Sequence, residues 1–230
     1  MKRIIFLHGG PGFTDYLKPY FGNQFEDHHC VFYDQKQSES LTVDDLVGQL
    51  DEIIETQREP SETVLLGHSW GGVLATVYAQ RHPNKIKGLI LMSTGLNSTQ
   101  WSLYNKELDD ASKADISREE LFFTSSEMNA GKAMFELECW EGFSEESFDA
   151  IHDSYLAEYD LLKSLENLKM PILNVFGEND LRFSKNVTTT FKTYNKDILD
   201  LEIKDAGHFP YLLPDNRAII VANIKEFLSK

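Results

Sequence analysis

Three residues, met in one order along the chain, are of the types that could together carry out acyl transfer. Ser69 lies in "GHSWGG" (67–72), Asp180 in "FGENDLRF" (176–183) and His208 in "DAGHFPYLLP" (205–214). A serine hydroxyl is a weak nucleophile and needs a neighbouring base. That base in turn needs a carboxylate to fix its tautomer. The order serine, acid, histidine is one of the known chain orders for such a triad. Glu178 stands two positions before Asp180 and is the competing acid; Asp180 is the choice made here. Each residue also has an ordinary reading: a helix-capping serine in a glycine-rich turn, a turn aspartate and a loop histidine.

Acyl transfer also needs two N–H donors where negative charge develops on the carbonyl oxygen. One is the backbone N–H of the residue after the nucleophile, Trp70. The other belongs on a loop after an early strand. "HGGPG" (8–12) is such a loop, because its glycines let bare backbone approach a substrate. Gly10 N–H is assigned as the second donor, and His8 is read as a structural loop residue.

These residues need a frame that holds their loops on one side. Six short apolar runs read as strands: "RIIFLH" (3–8), "CVFYD" (30–34), "TVLLGH" (63–68), "IKGLILMS" (86–93), "PILNVFG" (171–177) and "ILDLEIK" (198–204). Near-continuous apolar runs suit parallel strands covered on both faces. Helical patterns lie between them. Thr42 with Asp45 starts one, whose stripe is Val43, Leu46, Val47, Leu50, Ile53 and Ile54. A second begins near Trp70, with Val73, Leu74, Val77 and Tyr78 as its apolar face, and a third begins near Asp215. Alternating strands and helices predict a doubly wound α/β fold. Residues 95–168 lack a clear strand and read as a helical cap, with helix starts at Ser117 and Ser144. The core is then 1–94 with 169–230.

Composition narrows the function. The chain has 230 residues, 41% hydrophobic and 26% charged, with a net charge of -15. That balance argues against nucleic acid, which selects clustered Lys and Arg. No apolar run is long enough to span a membrane, and nothing before Arg3 reads as a leader. Cys30 and Cys139 do not make a disulfide scaffold, so a cytoplasmic location is expected. His28, His29 and Cys30 are adjacent, and neighbours on a strand point to opposite faces, so no metal site is expected. No phosphate-binding glycine motif is present, and no cofactor is expected.

With these motifs in place, the sequence resembles the α/β-hydrolase superfamily and, within it, the proline iminopeptidase family. "HGGPG", "YDQKQSES" (33–40), "GHSWGG", "GEND" (177–180) and "GHFPYLLP" carry the resemblance. It implies release of an N-terminal proline, or another small residue, from a peptide or amide, without a cofactor. It also implies acidic cap residues that bind the substrate's free amine. Glu141 in "CWEGF" matches one such position, and Asp153 lies in roughly the segment of a second. The chain departs from the family in three ways. Strands usually found before "HGGPG" have no room after Met1. Gln37 and Glu39 stand where glycines are expected. The cap, at about 70 residues, is short.

Three functions remain in view: an aminopeptidase of this kind, a carboxylesterase or other small-molecule acyl hydrolase, and a non-catalytic ligand-binding protein. Without earlier strands, residues 30–34 would form a sheet edge. Such an edge should be covered by the helix at 42–57 and nearby loops, or be paired in a homodimer.

Overall fold

The fold was read from a computed structural model, which describes residues 1–56, 62–99, 120, 122–130, 142–183 and 185–230. Six parallel strands form one sheet: β1 (Arg3–Leu7), β2 (His29–Phe32), β3 (Thr63–His68), β4 (Gly88–Met92), β5 (Ile172–Gly177) and β6 (Leu199–Ile203). Their order is β2-β1-β3-β4-β5-β6. All six coincide with the apolar runs. The helices are α1 (Lys18–Phe21), α2 (Val43–Glu55), α3 (Trp70–Arg81), α4 (Ser125–Ala130), α5 (Glu145–Ile151), α6 (Lys185–Thr189), α7 (Phe191–Tyr194) and α8 (Pro214–Ser229).

Period-two alternation divides each inner strand between two cores. Ile5, Leu7 and Leu65 pack with α2 and α3 on one face. Ile4, Phe6, Val64 and Leu66 pack on the other with α8 and with Tyr16 to Phe25. The α2 start is a full capping box: Thr42 Oγ1 accepts from Asp45 N–H, and the Asp45 carboxylate accepts from Thr42 N–H. In contrast to the expected one-sided stripe, every residue of α3 from Trp70 to Ala79 is buried. The sheet covers one side of it, while α2 and the residues after α5 cover the other. A helix enclosed in this way needs no polar face.

Strand order sets where a ligand can sit. From β1 the chain moves outward to β2, then crosses back to β3 on the other side of β1. Crevices of doubly wound sheets lie at such a reversal, beyond the carboxyl ends of the strands. At this reversal β1 ends at Leu7, just before "HGGPG", and β3 ends at His68, just before Ser69.

Residues 96–98 are stitched to residues 159–161. Leu161 N–H donates to Leu96 O at 2.8 Å, and Ser98 N–H donates to Tyr159 O at 2.9 Å. Ser144 caps α5 as expected, accepting from Ser147 N–H. The expected start at Ser117 lies outside the described residues. Strand β2 forms one edge of the described sheet. Gln49 of α2 covers the backbone just beyond it: its amide donates to Asp34 O at 3.0 Å and accepts from Lys36 N–H at 2.9 Å. His28 and His29 are spread along the start of this edge, accepting from Lys2 N–H and Arg3 Nε. Among the described residues, no helix is long and apolar enough to cross a membrane.

Candidate active site

Ser69 is the turn between β3 and α3. Its backbone takes φ 54° and ψ -121°, a left-handed conformation that costs a non-glycine residue free energy. The turn is held by Ser69 N–H donating to Met92 O of β4 at 2.9 Å. The flanking glycines act through packing. A Cβ on Gly67 would strike the Gly71 backbone, and one on Gly71 would strike the carbonyl oxygens of Leu7 and His8. Helix α3 can therefore start directly against the strands only with glycine at both places. Trp70 is its first residue, so its backbone N–H has no partner within the helix.

Asp180 and His208 meet beyond β5 and β6. Asp180 Oδ2 lies 3.1 Å from His208 Nδ1, and both residues are 2% exposed. Asp180 Oδ1 accepts from the N–H groups of Arg182 and Phe183 at 2.8 and 2.9 Å, which fixes the carboxylate plane. Because that carboxylate only accepts, His208 Nδ1 carries the hydrogen and Nε2 is left able to take a proton. Glu178 turns away and accepts from Asp205 N–H at 3.2 Å. The ring of His208 sits among Phe122, Phe183 and Phe209, with centroids 5.6, 5.6 and 5.1 Å away. Ser69 and His208 form no hydrogen bond in this structure.

The loop after β1 supplies the other side. His8 is fully buried and uses both ring nitrogens: Nε2 accepts from Gln35 N–H at 3.1 Å, and Nδ1 bonds Gly9 O at 2.8 Å. Burial lowers its pKa from 6.5 to about 4, so the ring is neutral and Nδ1 is the donor. Gln35 also donates to His8 O at 2.8 Å and accepts from Trp70 Nε1 at 2.9 Å, locking the loop to the start of α3. Gly9 N–H is committed to Tyr16 Oη at 2.6 Å, so Gly10, at φ 128°, carries the next N–H of the loop.

A family model described as alpha/beta hydrolase fold matches residues 2–215. The chain belongs to this family. It is 34% identical over 134 residues to a proline iminopeptidase of Saccharolobus solfataricus, a stretch covering 52% of this chain and 43% of that protein. The match therefore spans less than half of that relative's length. Among solved structures, a proline iminopeptidase-related protein from Thermus thermophilus superposes with a TM-score of 0.78 at 23% identity, covering 99% of this chain and 89% of that one. An esterase from Exiguobacterium antarcticum reaches a TM-score of 0.78 at 15% identity, covering 100% and 92%. At these identities the two structures speak for the fold alone.

On the cap side of this α/β hydrolase, Glu141 lies outside the described residues. Its neighbour Gly142 is held down: Gln37 Nε2 donates to Gly142 O at 2.7 Å and to Gly12 O at 2.9 Å. Gln37, which departs from the resembled motif, thus clasps Gly142 to the "HGGPG" loop. Ser144 N–H reinforces the clasp by donating to Gly12 O at 2.8 Å. Asp153, the second expected amine binder, is instead 83% exposed and paired with His152 at 3.2 Å. It lies on a turn of π-helix (His152–Leu156) that presents its side chain to solvent, so the structure does not bring it into the buried cluster.

One acid of this region escaped the sequence reading. Glu127 is fully buried and accepts from Gly207 N–H at 3.0 Å and from Thr124 N–H at 2.8 Å. Burial raises its pKa above 4.5. It anchors the backbone beside His208, whose own N–H donates to Phe122 O at 3.0 Å. The signal was present as "TSSE" (124–127), a capping-box pattern. The pattern marks a helix start, and says nothing of the distant Gly207.

Proposed function

We propose that this hydrolase is a serine enzyme working through an acyl-enzyme, and that it releases an N-terminal proline or another small residue from peptides or amides. Ser69 attacks the carbonyl. His208 takes the serine proton at Nε2 and returns it to the leaving amine, while Asp180 holds the imidazole and stabilises its cation. Gly10 and Trp70 N–H groups hold the oxyanion. The observation that carries this reading is the buried Asp180–His208 pair on the same side of the sheet as a serine held at φ 54°. The named similarity to proline iminopeptidases supports the finer part, with Glu141 as the carboxylate that meets the substrate amine. A cytoplasmic location and a small-molecule or short-peptide substrate go with this reading.

The aromatic surroundings of His208 are compatible with a second reading as well. Phe122, Phe183 and Phe209 suit a proline ring, and they suit a simple acyl chain equally. A carboxylesterase is therefore the alternative, and the amine-binding carboxylate separates the two. A fluorophosphonate should label the wild type and leave Ser69→Ala unlabelled. Asp180→Asn should lower kcat by about 10³- to 10⁴-fold. A panel of prolyl and alanyl amides with free or blocked amines, set beside acyl esters, then reads the specificity. A preference for blocked or simple acyl substrates would select the esterase, and turnover surviving in Ser69→Ala would end both readings.

A further inference from the structure

Two side chains without a role in this mechanism lie between its two halves. Gly9 N–H donates to Tyr16 Oη at 2.6 Å, Tyr16 Oη lies 2.6 Å from His68 Nδ1, and His68 Nε2 lies 2.9 Å from the carbonyl oxygen of His208. Tyr16 and His208 are 2% exposed and His68 is fully buried. With a neutral His68, one arrangement of protons satisfies this chain. A carbonyl oxygen only accepts, so His68 Nε2 carries the hydrogen. Burial and the adjacent His208 hold the pKa of His68 well below 6.5, so its ring is neutral and Nδ1 accepts. The Tyr16 hydroxyl then donates to His68 and accepts from Gly9. Every donor has its acceptor, and both nitrogens of His68 are committed. His68 cannot compete with His208 as the base.

We infer that Tyr16 and His68 form a positioning relay, which fixes the general base relative to the oxyanion donor. At one end the relay holds Gly9, next to the Gly10 donor. At the other it holds the backbone of His208, opposite the bond from His208 N–H to Phe122 O. The base is therefore pinned at both its N–H and its C=O. Aromatic packing keeps the relay in place: the ring of His68 lies 5.0 Å from Phe209 and 5.5 Å from Tyr211 by centroids. The relay matters to chemistry because oxyanion and proton must be served at once by groups on separate loops. A misplacement of about 1 Å costs on the order of 100-fold in rate.

This inference rests on the serine-hydrolase reading, and its test keeps the two apart. Wild type, Tyr16→Phe, His68→Leu and His68→Gln are compared with Tyr78→Phe. The last loses a hydroxyl bonded to Asp51 at 2.7 Å on the far part of α3, and serves as a structural control. Each is labelled with a fluorophosphonate, assayed on p-nitrophenyl acetate and titrated with a boronic acid as transition-state analogue. Tyr16→Phe should lose about 10- to 100-fold in kcat with KM changed by less than about threefold, and analogue affinity should fall with kcat/KM. Glutamine offers one acceptor and one donor, so His68→Gln should recover most of the rate that His68→Leu loses. Tyr78→Phe should lower the melting temperature and leave kcat unchanged. Labelled wild type with undiminished turnover and analogue affinity in Tyr16→Phe overturns the relay alone. So does a kcat loss in Tyr78→Phe matching that of Tyr16→Phe. Failure of the wild type to label at Ser69 overturns the parent reading and the relay with it.

Discussion

The buried imidazole at the start of the "HGGPG" loop makes a quantitative claim about acid stability. His8 has an ordinary pKa of 6.5 when the chain is unfolded and about 4 when folded, chiefly because burial penalises its charge. Between those values the unfolded chain holds the extra proton, so stability falls as pH falls. The contribution is complete above 6.5 and is lost as pH drops through about 4. At about 1.4 kcal/mol per tenfold change in proton affinity, the whole is roughly 3 kcal/mol. That is a large fraction of a typical 5–15 kcal/mol domain stability. The geometry gives the same sign, since a proton on Nε2 would face the Gln35 N–H it now accepts from at 3.1 Å. His8→Gln removes the titration while keeping an acceptor for Gln35 N–H and a donor for Gly9 O. Urea unfolding of both proteins from pH 4 to pH 7 should show the wild type losing about 3 kcal/mol more than the variant across this window. His68 titrates in both proteins and cancels in the difference. Parallel stability curves would refute the assignment, and with it the argument that the loop is held by a neutral His8.

Two glycines should respond in opposite directions. Gly71→Ala drives a Cβ into the Leu7 and His8 carbonyl oxygens and should cost about 3 kcal/mol or more, seen as lost soluble yield or a collapsed melting temperature. Gly48→Ala, in α2 with nothing within 4 Å of the new Cβ, should add about 0.5–1 kcal/mol by the same melt. Gln37→Gly restores the residue expected from the resembled motif and removes the clasp on Gly12 and Gly142. It should cost about 1–3 kcal/mol and raise KM, with the 142–148 backbone exchanging amide protons faster by mass spectrometry.

What the sequence determined by itself was local. Apolar runs placed all six strands, and Thr42 with Asp45 placed the start of α2. The glycine-rich elbow set Ser69 at a strand–helix turn, because each of these features is encoded within a few neighbouring residues. What the tertiary structure decided was which distant groups meet. It sent the Asp180 carboxylate to His208 and that of Glu178, two residues away, to Asp205 N–H. It put Asp153 at the surface and buried Glu127 against Gly207 N–H. It joined Tyr16 to His68 across 52 positions, and His68 to His208 across 140. No periodicity or motif spans such separations. They close because buried polar groups must find partners, and the partner is whatever the sheet order brings to the same end.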